Sequence, residues 1–286
     1  MPEVVVASCN VHAGVDGWGR ALDVVGACRS MDADVLVLQE TWRADGSVGL
    51  AEEVATSLGY ACHEMRLARG RLDPVAVPDE RCSDPAGDGS ARRWGPPRRD
   101  AVTGEAWGPP MRGRLSRRVL VLDRPGSRHS PPGPGRGSWG IAVLSRLPVV
   151  SEERIDLGQL RRDPARRGAL RLELEAGGRS RLVVVGTHLS HLVQGSLLQL
   201  SRLRSALPEP ACAAILAGDM NLWGPPVSAL LPGWRRAVRG RTWPAWGPHS
   251  QIDHILVTPA VATLSHDVLG PIGSDHRPVR ALVGIP

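Results

Sequence analysis

The sequence predicts an α+β protein in which two packed β-sheets are flanked by helices. Two observations support this prediction. The first 60 residues alternate β-branched runs with segments of helical periodicity, which indicates layers of strands and helices. From residue 139 onward, short apolar runs outnumber helical patterns, which is typical of a pair of packed sheets rather than of one wound sheet.

The amino-terminal part contains two predicted strands, and each leads to a polar residue. A β-branched run ends at Asn10, and a second run, Val-Leu-Val-Leu, precedes Glu40 by two residues. Between these runs, apolar residues such as Leu22 and Val25 recur at helical spacing. The predicted elements are strands at 4–9 and 35–38 and helices at 19–31 and 48–58.

Residues 70–137 differ in composition from the rest of the chain. They contain 11 Pro and 11 Gly, together with 13 Arg against 8 acidic residues. Such a segment buries too little apolar surface to fold alone, so we expect a long, partly disordered loop inserted into a single domain of residues 1–286. One apolar run at 119–122 predicts a strand inside it.

Regular elements return after this segment. The apolar run at 139–145 predicts a strand, and a leucine stripe that includes Leu200 and Leu203 predicts a helix over 194–207. Further strands are predicted at 169–174, 181–187, 213–217, 252–257 and 278–283.

The composition excludes several classes of protein. All 35 basic residues are Arg, which indicates codon preference, and most of the excess charge behind the net +6 lies in residues 70–137. A protein that only binds nucleic acid would carry that charge on folded elements. The five cysteines form no Cys-x-x-Cys pair and no His-x-x-x-His pair occurs, which argues against a zinc hydrolase. The amino terminus lacks a secretory signal and no apolar run is long enough to span a membrane, so we expect a cytoplasmic protein.

Three carboxylates follow or border predicted strands, namely Glu40, Asp219 and Asp275. Glu40 on its own is more typical of an acid that caps a helix. Three carboxylates that converge need a cation to tolerate one another, and hard divalent cations such as Mg²⁺ prefer oxygen ligands. The set therefore predicts a divalent metal site.

A second group of residues predicts proton transfer. His276 can exchange a proton near neutral pH, and Asp253, inside an apolar run, is placed to orient its ring. His254 falls on the opposite face of the same strand and is predicted to be structural. Asp219 and Asn221 follow a strand that ends in Gly, and His188 ends another strand. A packed His and an Asp-x-Asn turn are the structural alternatives. Together the group suits in-line attack of water on phosphorus, with donors stabilising the phosphate.

The ordered set of motifs resembles the endonuclease/exonuclease/phosphatase superfamily, which has the deoxyribonuclease-I-like fold. The motifs include Leu-Gln-Glu-Thr, Gly-Asp-Met-Asn and Ser-Asp-His-Arg-Pro-Val, they occur in the family's order, and they cover almost the whole chain. The matching segments are residues 8–11, 38–41, 139–146, 186–189, 218–221, 252–256 and 274–279.

The resemblance implies a four-layer α/β/β/α sandwich and a Mg²⁺- or Mn²⁺-dependent phosphoesterase. It implies that Glu40 is a metal ligand, with Asn10 and Asp275 in the same metal site. It implies that Asp219 and Asn221 act on the nucleophile and the phosphate of the substrate. The implied His–Asp pair is His276 with Asp253, and the second histidine is His188. Gln199 matches a recurring family glutamine of structural role, and the sequence leaves open whether Asp219 or His276 takes the proton of the water.

The branch of the family is narrowed by the Thr-His-Leu segment at 187–189. This form resembles the deoxyribonuclease, sphingomyelinase and phosphoinositide-phosphatase branches, whereas abasic-site endonucleases carry a tyrosine and an Asn-Gly-type segment there. The one tyrosine, Tyr60, is far from this segment, and Ser196 replaces a family arginine. Nuclease-type and small-phosphoester substrates both remain open.

The partners of the protein are also open. Arg pairs in residues 70–137, with Trp94 and Trp107, suit either contact with a nucleic-acid backbone or a flexible insertion without contacts. A non-catalytic module that binds nucleic acid or phospholipid on the same fold is the alternative to an enzyme. Because every site position is filled, we favour the enzyme. The sequence does not indicate the oligomeric state.

Overall fold

A computed structural model describes residues 1–16, 19–73, 98–99, 106–107, 120–123, 135–178 and 180–286. The strands are β1 (Glu3–Asn10), β2 (Val35–Ala44), β3 (Ala61–Leu72), β4 (Arg98–Arg99), β5 (Ala106–Trp107), β6 (Leu120–Leu122), β7 (Arg136–Ser145), β8 (Val149–Gly158), β9 (Arg167–Glu175), β10 (Arg181–His188), β11 (Ala214–Asp219), β12 (Arg235–Arg236), β13 (Asp253–Val257), β14 (Ala262–Val268) and β15 (Val279–Gly284). The helices are α1 (Val24–Met31), α2 (Leu50–Leu58), α3 (Val193–Arg204) and α4 (Gly224–Leu230), with one turn of 3-10 helix at His12–Gly14.

The strands form two large sheets and one small one. The first sheet has the order β14–β15–β1–β2–β7–β3–β6, the second has the order β12–β13–β11–β10–β9–β8, and β4 pairs with β5. The pairs β1–β2 and β10–β11 are parallel, and the other pairs among the described strands are antiparallel. Each large sheet is therefore mixed and mostly antiparallel.

The main core lies between the two large sheets, and two smaller cores lie under the helices. In β2, Val35 and Val37 pack into the core between the sheets, while Leu36 and Leu38 pack against α1 and α2. The alternation of β11 is similar, because its odd-numbered side chains face the first sheet and its even-numbered ones face α3 and α4. Both faces of each sheet are thus covered, and the predicted α/β/β/α sandwich is confirmed.

Several predicted boundaries differ from those of the structure. The helix expected over 19–31 begins only at Val24, because the Asp23 carboxylate accepts a hydrogen bond from the Gly26 amide (2.8 Å) and caps the helix there. The second strand does not end at Leu38 but continues to Ala44. The strands β3, β4, β5, β8, β12 and β14 and the helix α4 were not predicted. Both β8 and β14 are edge strands whose side chains are mostly exposed, so they carry no apolar run.

The atypical segment 70–137 contributes to the first sheet at its two ends, which belong to β3 and β7, and through one internal strand. Its predicted strand is confirmed as β6, which pairs with the end of β3. The predicted loop lies for the most part outside the described residues, as do Trp94 and the Arg pairs at 92–93 and 117–118. In the described part of the chain, no helix has the length and apolar character needed to cross a membrane.

Candidate active site

The predicted site residues converge at one edge of the sandwich because several strands end or begin there. Asn10 is the last residue of β1, and His188 and Asp219 are aligned last residues of the parallel strands β10 and β11. Asp253, the first residue of antiparallel β13, is aligned with Asp219. The two sheets therefore deliver these polar side chains to the same place without any long-range loop.

Glu40 reaches the site in a way that the sequence did not predict. It was expected beyond a strand end, but it lies inside β2 at a bulge between Gln39 and Thr41, with a positive φ of 58°. A bulge inserts one unpaired residue and redirects its side chain. Glu40 is half-buried, and the Asn10 side-chain amide donates a hydrogen bond to its Oε1 (3.1 Å). A non-glycine residue in this backbone region is often found at functional sites.

The carboxylate of Asp219 is the centre of the arrangement. Its Oδ1 accepts a hydrogen bond from the Asn221 backbone amide (2.9 Å). Its Oδ2 lies 3.2 Å from Asn10 Nδ2, 3.4 Å from His188 Nε2 and 3.8 Å from His276 Nε2. Burial raises the pKa of Asp219 to about 7, although the nearby His276 acts in the opposite direction. One oxygen atom thus faces three potential donors in a buried place.

The turn before Asp219 depends on glycine. Gly218 has a φ of 147°, and a Cβ at this position would collide with the carbonyl oxygen of Thr187 in β10. Glycine therefore allows β11 to lie against β10 right up to the site, which keeps His188 and Asp219 adjacent.

His276 and Asp253 form a buried pair. Both carboxylate oxygens of Asp253 lie 3.0 Å from His276 Nδ1, and the two residues are 1% and 6% exposed. Ser274 fixes the loop by donating to the Asn10 carbonyl oxygen (2.6 Å) and accepting from the His276 amide (3.2 Å). Burial lowers the pKa of His276, but Asp253, Asp219 and Asp275 raise it more, so the net value lies well above the usual one. His276 is therefore held as a cation with Nε2 directed into the site.

His188 has the opposite electrostatic environment. Burial, reinforced by the charge of Arg167, lowers its pKa well below the usual value. Its ring centroid lies 5.2 Å from that of Trp139, and the Arg167 guanidinium carbon lies over the Trp139 ring, 5.2 Å from its centroid. The Asn221 side-chain amide is 3.4 Å from His188 Nε2 and donates to the Leu189 carbonyl oxygen (3.0 Å). His188 is therefore a neutral imidazole at neutral pH.

Two sets of residues near the site were missed by the sequence analysis. Arg167 is paired with Asp163 (2.9 Å) and both are buried, but Asp163 lies in a Pro- and Arg-rich turn before β9 and neither residue belongs to a motif. His12 donates its amide hydrogen to Asn10 Oδ1 (3.0 Å). Burial lowers the pKa of His12, but the charges of Asp275 and Glu40 outweigh it and the net shift is upward. Its position two residues after Asn10 was the available signal.

The carboxylates near His12 have the chemistry of a cation site. One oxygen of Asp275, Oδ1, is buried and has no hydrogen-bond partner among the described residues. Burial raises the pKa of Asp275, but the charges of His276 and His12 lower it by more, so the net shift is downward and the group is a carboxylate at neutral pH. With Glu40 and the amide of Asn10, the oxygens on this side fit a hard divalent cation.

A second set of possible ligand atoms belongs to Asp219, Asp253 and His276, which all lie within 4.8 Å of one another. We favour the side of Glu40 and Asp275, because both oxygens of Asp253 already face the protonated ring of His276. A ring that is held as a cation has no lone pair free for a metal.

Two other expectations concern supporting residues. His254 is fully buried on the opposite face of β13, and its Nε2 lies 2.8 Å from the Leu222 carbonyl oxygen, as expected for a structural histidine. Gln199 is fully buried in α3 and accepts a hydrogen bond from the Ser190 amide (2.8 Å). It thereby ties the helix to the segment that follows His188.

Comparisons with known proteins agree with this architecture. The sequence matches the model of the Endonuclease/Exonuclease/phosphatase family over residues 7–276. A comparison with curated proteins found no match. A solved structure of an endonuclease/exonuclease/phosphatase from Beutenbergia cavernae is 19% identical, with a TM-score of 0.63, and the match covers 100% of this chain and 72% of that chain.

Two other solved structures are similar over nearly their full length. The mannosyl-6-phosphatase of Bacteroides thetaiotaomicron is 14% identical, with a TM-score of 0.60, and the match covers 99% of this chain and 100% of that chain. The human Nocturnin catalytic domain with a bound sulfate anion is 16% identical, with a TM-score of 0.58, and the match covers 100% of this chain and 94% of that chain. At these identities the likeness shows the fold alone.

Proposed function

This chain belongs to the endonuclease/exonuclease/phosphatase family, and we propose that it is a divalent-metal-dependent hydrolase of phosphate esters. The observation that carries the proposal is the environment of Asp219 Oδ2. Three side-chain donors, from Asn10, His188 and His276, lie within 3.2 to 3.8 Å of this one oxygen. Such convergence is expected where a water and a phosphoryl oxygen are to be held together.

The proposed cofactor is Mg²⁺ or Mn²⁺. Enzymes of this family generally use a divalent metal, and the chain has a cluster of acidic and histidine side chains at the site. We assign Glu40 and Asp275 as its ligands, with Asn10 beside them. When bound, the cation supplies positive charge that stabilises the phosphoryl oxygens as they gain charge. Asn10 keeps Glu40 directed toward the site by the 3.1 Å hydrogen bond to Oε1.

We assign the water's proton to Asp219. In this step the water oxygen forms a bond to phosphorus while the bond from phosphorus to the leaving oxygen breaks, and Asp219 accepts the proton of the water. The pKa of Asp219, about 7, suits a base at neutral pH, because a general base works best when its pKa is close to the pH of the solution. His276 is already protonated and therefore acts as a donor rather than as the base.

The two histidines have different roles in this proposal. His276, held as a cation by Asp253, donates from Nε2 to a phosphoryl oxygen or to the leaving oxygen. His188 is neutral, and in the tautomer that carries its hydrogen on Nε2 it donates a hydrogen bond without adding charge. The Asn221 amide, which donates to the Leu189 carbonyl oxygen, lies beside it. One cationic donor and two neutral donors stabilise the charge that develops on the phosphate.

The substrate class is a phosphodiester or a phosphomonoester, and nuclease-type and small-phosphoester substrates remain alternatives within it. One of the similar structures is named as a mannosyl-6-phosphatase, and another holds a sulfate anion. Trp223, two residues beyond Asn221, is 51% exposed and offers an aromatic surface at this end of the protein. The proposal also includes a cytoplasmic location.

The experiment that tests the proposal compares four substrates with Mg²⁺ and with a chelator. Plasmid DNA, bis-p-nitrophenyl phosphate, a phosphoinositide and sphingomyelin are offered to the wild type and to the Glu40→Gln and His276→Asn variants. Asp34→Asn is the matched control, because it is an isosteric change of a half-buried carboxylate that accepts from the Val5 amide, far from the site.

Turnover of one substrate that is lost in both site variants and retained in the control is the expected result. Binding of DNA or phospholipid without turnover, unchanged in the site variants, would instead favour the non-catalytic module. A chelator-insensitive activity would contradict the metal assignment.

A further inference from the structure

A basic cleft lies between the edge strands of the two large sheets, β12 of the second sheet and β14 of the first. Its volume is about 770 Å³, which is within the range of small-molecule sites. The residues that matter to the argument are Met1, Trp234, Arg235, Arg236, Arg239 and Val257.

The cleft is separate from the catalytic residues. Val257 ends the strand β13 that Asp253 begins, and four residue steps of a strand span roughly 13 Å. Met1 precedes the strand whose last residue is Asn10. None of the residues that line the cleft belongs to the proposed catalytic or metal-binding set. A ligand in the cleft would therefore be additional to the substrate of the proposed hydrolase.

The charge of the cleft is not compensated. Three arginines line it, no acidic residue does, and none of the three forms an ion pair with any described residue. Two of them donate to neutral acceptors: Arg235 to the Pro259 carbonyl oxygen at 3.2 Å and Arg236 to Gln251 Oε1 at 3.4 Å. Arg235 and Arg239 are exposed, whereas Arg236 is half-buried. Elsewhere in the described chain, partly buried arginines such as Arg69 and Arg136 are paired with carboxylates.

The Arg236 side chain is held in place by the fold. Its guanidinium lies against the backbone of Gly224 at the start of α4, where any Cβ would collide with Nη1. Its Nε is buried and has no hydrogen-bond partner among the described residues. Burial and the charge of Arg239 both lower the pKa of Arg236. A fixed, half-buried cation without a paired carboxylate is stabilised by an anion held nearby.

We propose that this cleft binds an oligophosphate anion, that is, a chain of two or three linked phosphate groups. Guanidinium groups bind phosphate oxygens with paired hydrogen bonds, and three of them match an anion with several charged oxygens. Trp234 is only 8% exposed, so it offers no face on which a base could stack. The phosphate chain, rather than an attached nucleoside, is therefore the recognised group.

The test is calorimetric titration of the full-length protein with sodium tripolyphosphate, in the presence of a chelator so that the metal-dependent site does not contribute. We expect one saturable site in the wild type. Replacing both guanidiniums in the double variant Arg236→Gln/Arg239→Gln is expected to weaken binding by at least about 10-fold, because each change removes charge-assisted hydrogen bonds. The Glu40→Gln variant is expected to bind like the wild type.

The matched control is Arg204→Gln, which removes the same charge from an exposed position near the end of α3. It is expected to keep the affinity of the wild type. Equal weakening in this control would show a non-specific charge effect and overturn the proposal, as would the absence of saturable binding. Thermal unfolding of each variant without ligand verifies that the fold is retained.

Three other ligands identify the recognised group. Orthophosphate and sulfate are expected to bind more weakly than tripolyphosphate, since they engage fewer guanidiniums. ATP is expected to bind as tripolyphosphate does. Much tighter binding of ATP, or equal binding of orthophosphate, would contradict recognition of the phosphate chain. Because Glu40→Gln is measured without metal or turnover, failure of the hydrolase proposal would leave this result unaffected.

Discussion

Replacing Asp253 with Asn tests the role of the buried His–Asp pair most sharply. The substitution keeps the size of the side chain and removes its charge. In the wild type both carboxylate oxygens lie 3.0 Å from His276 Nδ1, and the carboxylate is 1% exposed. The variant therefore loses the largest of the attractions that keep His276 protonated.

The size of the effect follows from that contact. A hydrogen bond to a charged group contributes about 1.5–3 kcal/mol, which corresponds to roughly a 10- to 100-fold change in an equilibrium. The neutral amide can also favour the wrong tautomer of His276, and a displaced acid–base group costs about 100- to 10,000-fold in rate. We therefore expect a fall in kcat of about 100- to 10,000-fold, with an equal fall in kcat/KM because the interaction serves the transition state.

The assay is the steady-state rate on whichever phosphate ester the wild type hydrolyses, with saturating Mg²⁺. Asp34→Asn, the same chemical change far from the site, is the control and is expected to retain wild-type kinetics. Nitrogen-15 NMR of the His276 ring should show a lowered pKa in Asp253→Asn. A variant with activity within about tenfold of the wild type and an unchanged ring pKa would refute the role given to Asp253.

Three further predictions follow from the same structure. Mn²⁺ at about 100 times its Kd should raise the free energy of unfolding by about 2.7 kcal/mol, measured by urea unfolding. Glu40→Gln should remove this increase, and an increase that persists in the variant would place the metal elsewhere. Asp163→Asn leaves the buried charge of Arg167 unpaired and should lower the free energy of unfolding by about 3–5 kcal/mol. The double variant Asp163→Asn/Arg167→Met should recover most of this loss. A single variant as stable as the wild type would show that the pair is not buried in solution. Gly218→Ala should lower the thermal unfolding temperature far more than Gly178→Ala. Both glycines have a positive φ, but only a Cβ at 218 collides with backbone atoms, those of Thr187 in β10. Equal decreases in unfolding temperature would mean that β10 does not approach β11 closely there.

Much of the fold was predictable because most interior strands are continuous apolar runs. The strands β2, β10 and β11 lie in the middle of their sheets with both faces covered, so their Val- and Leu-rich segments identify them. The edge strands β8 and β14 are held by backbone pairing on one side only, and their exposed side chains have no reason to be apolar. A periodicity argument cannot find such strands.

The site was predictable to the extent that its residues border apolar runs. Asp219 and His188 terminate such runs, and the parallel register of their strands brings them together. The bulge that carries Glu40 was not predictable, since it depends on how β2 pairs with β7. Arg167 reaches Trp139 and the neighbourhood of His188 from the first position of β9, which carries no recognisable motif, so only the tertiary structure identifies it.

The central claim is that the residues around Asp219 hydrolyse a phosphate ester with the help of a divalent cation. The most direct measurement is the initial rate of hydrolysis by the wild type as Mg²⁺ is titrated into chelator-treated protein, with Glu40→Gln measured in parallel. We predict a rate that rises from zero to saturation with Mg²⁺ in the wild type and stays near zero in the variant. Identical, metal-independent rates in the two proteins would contradict the account.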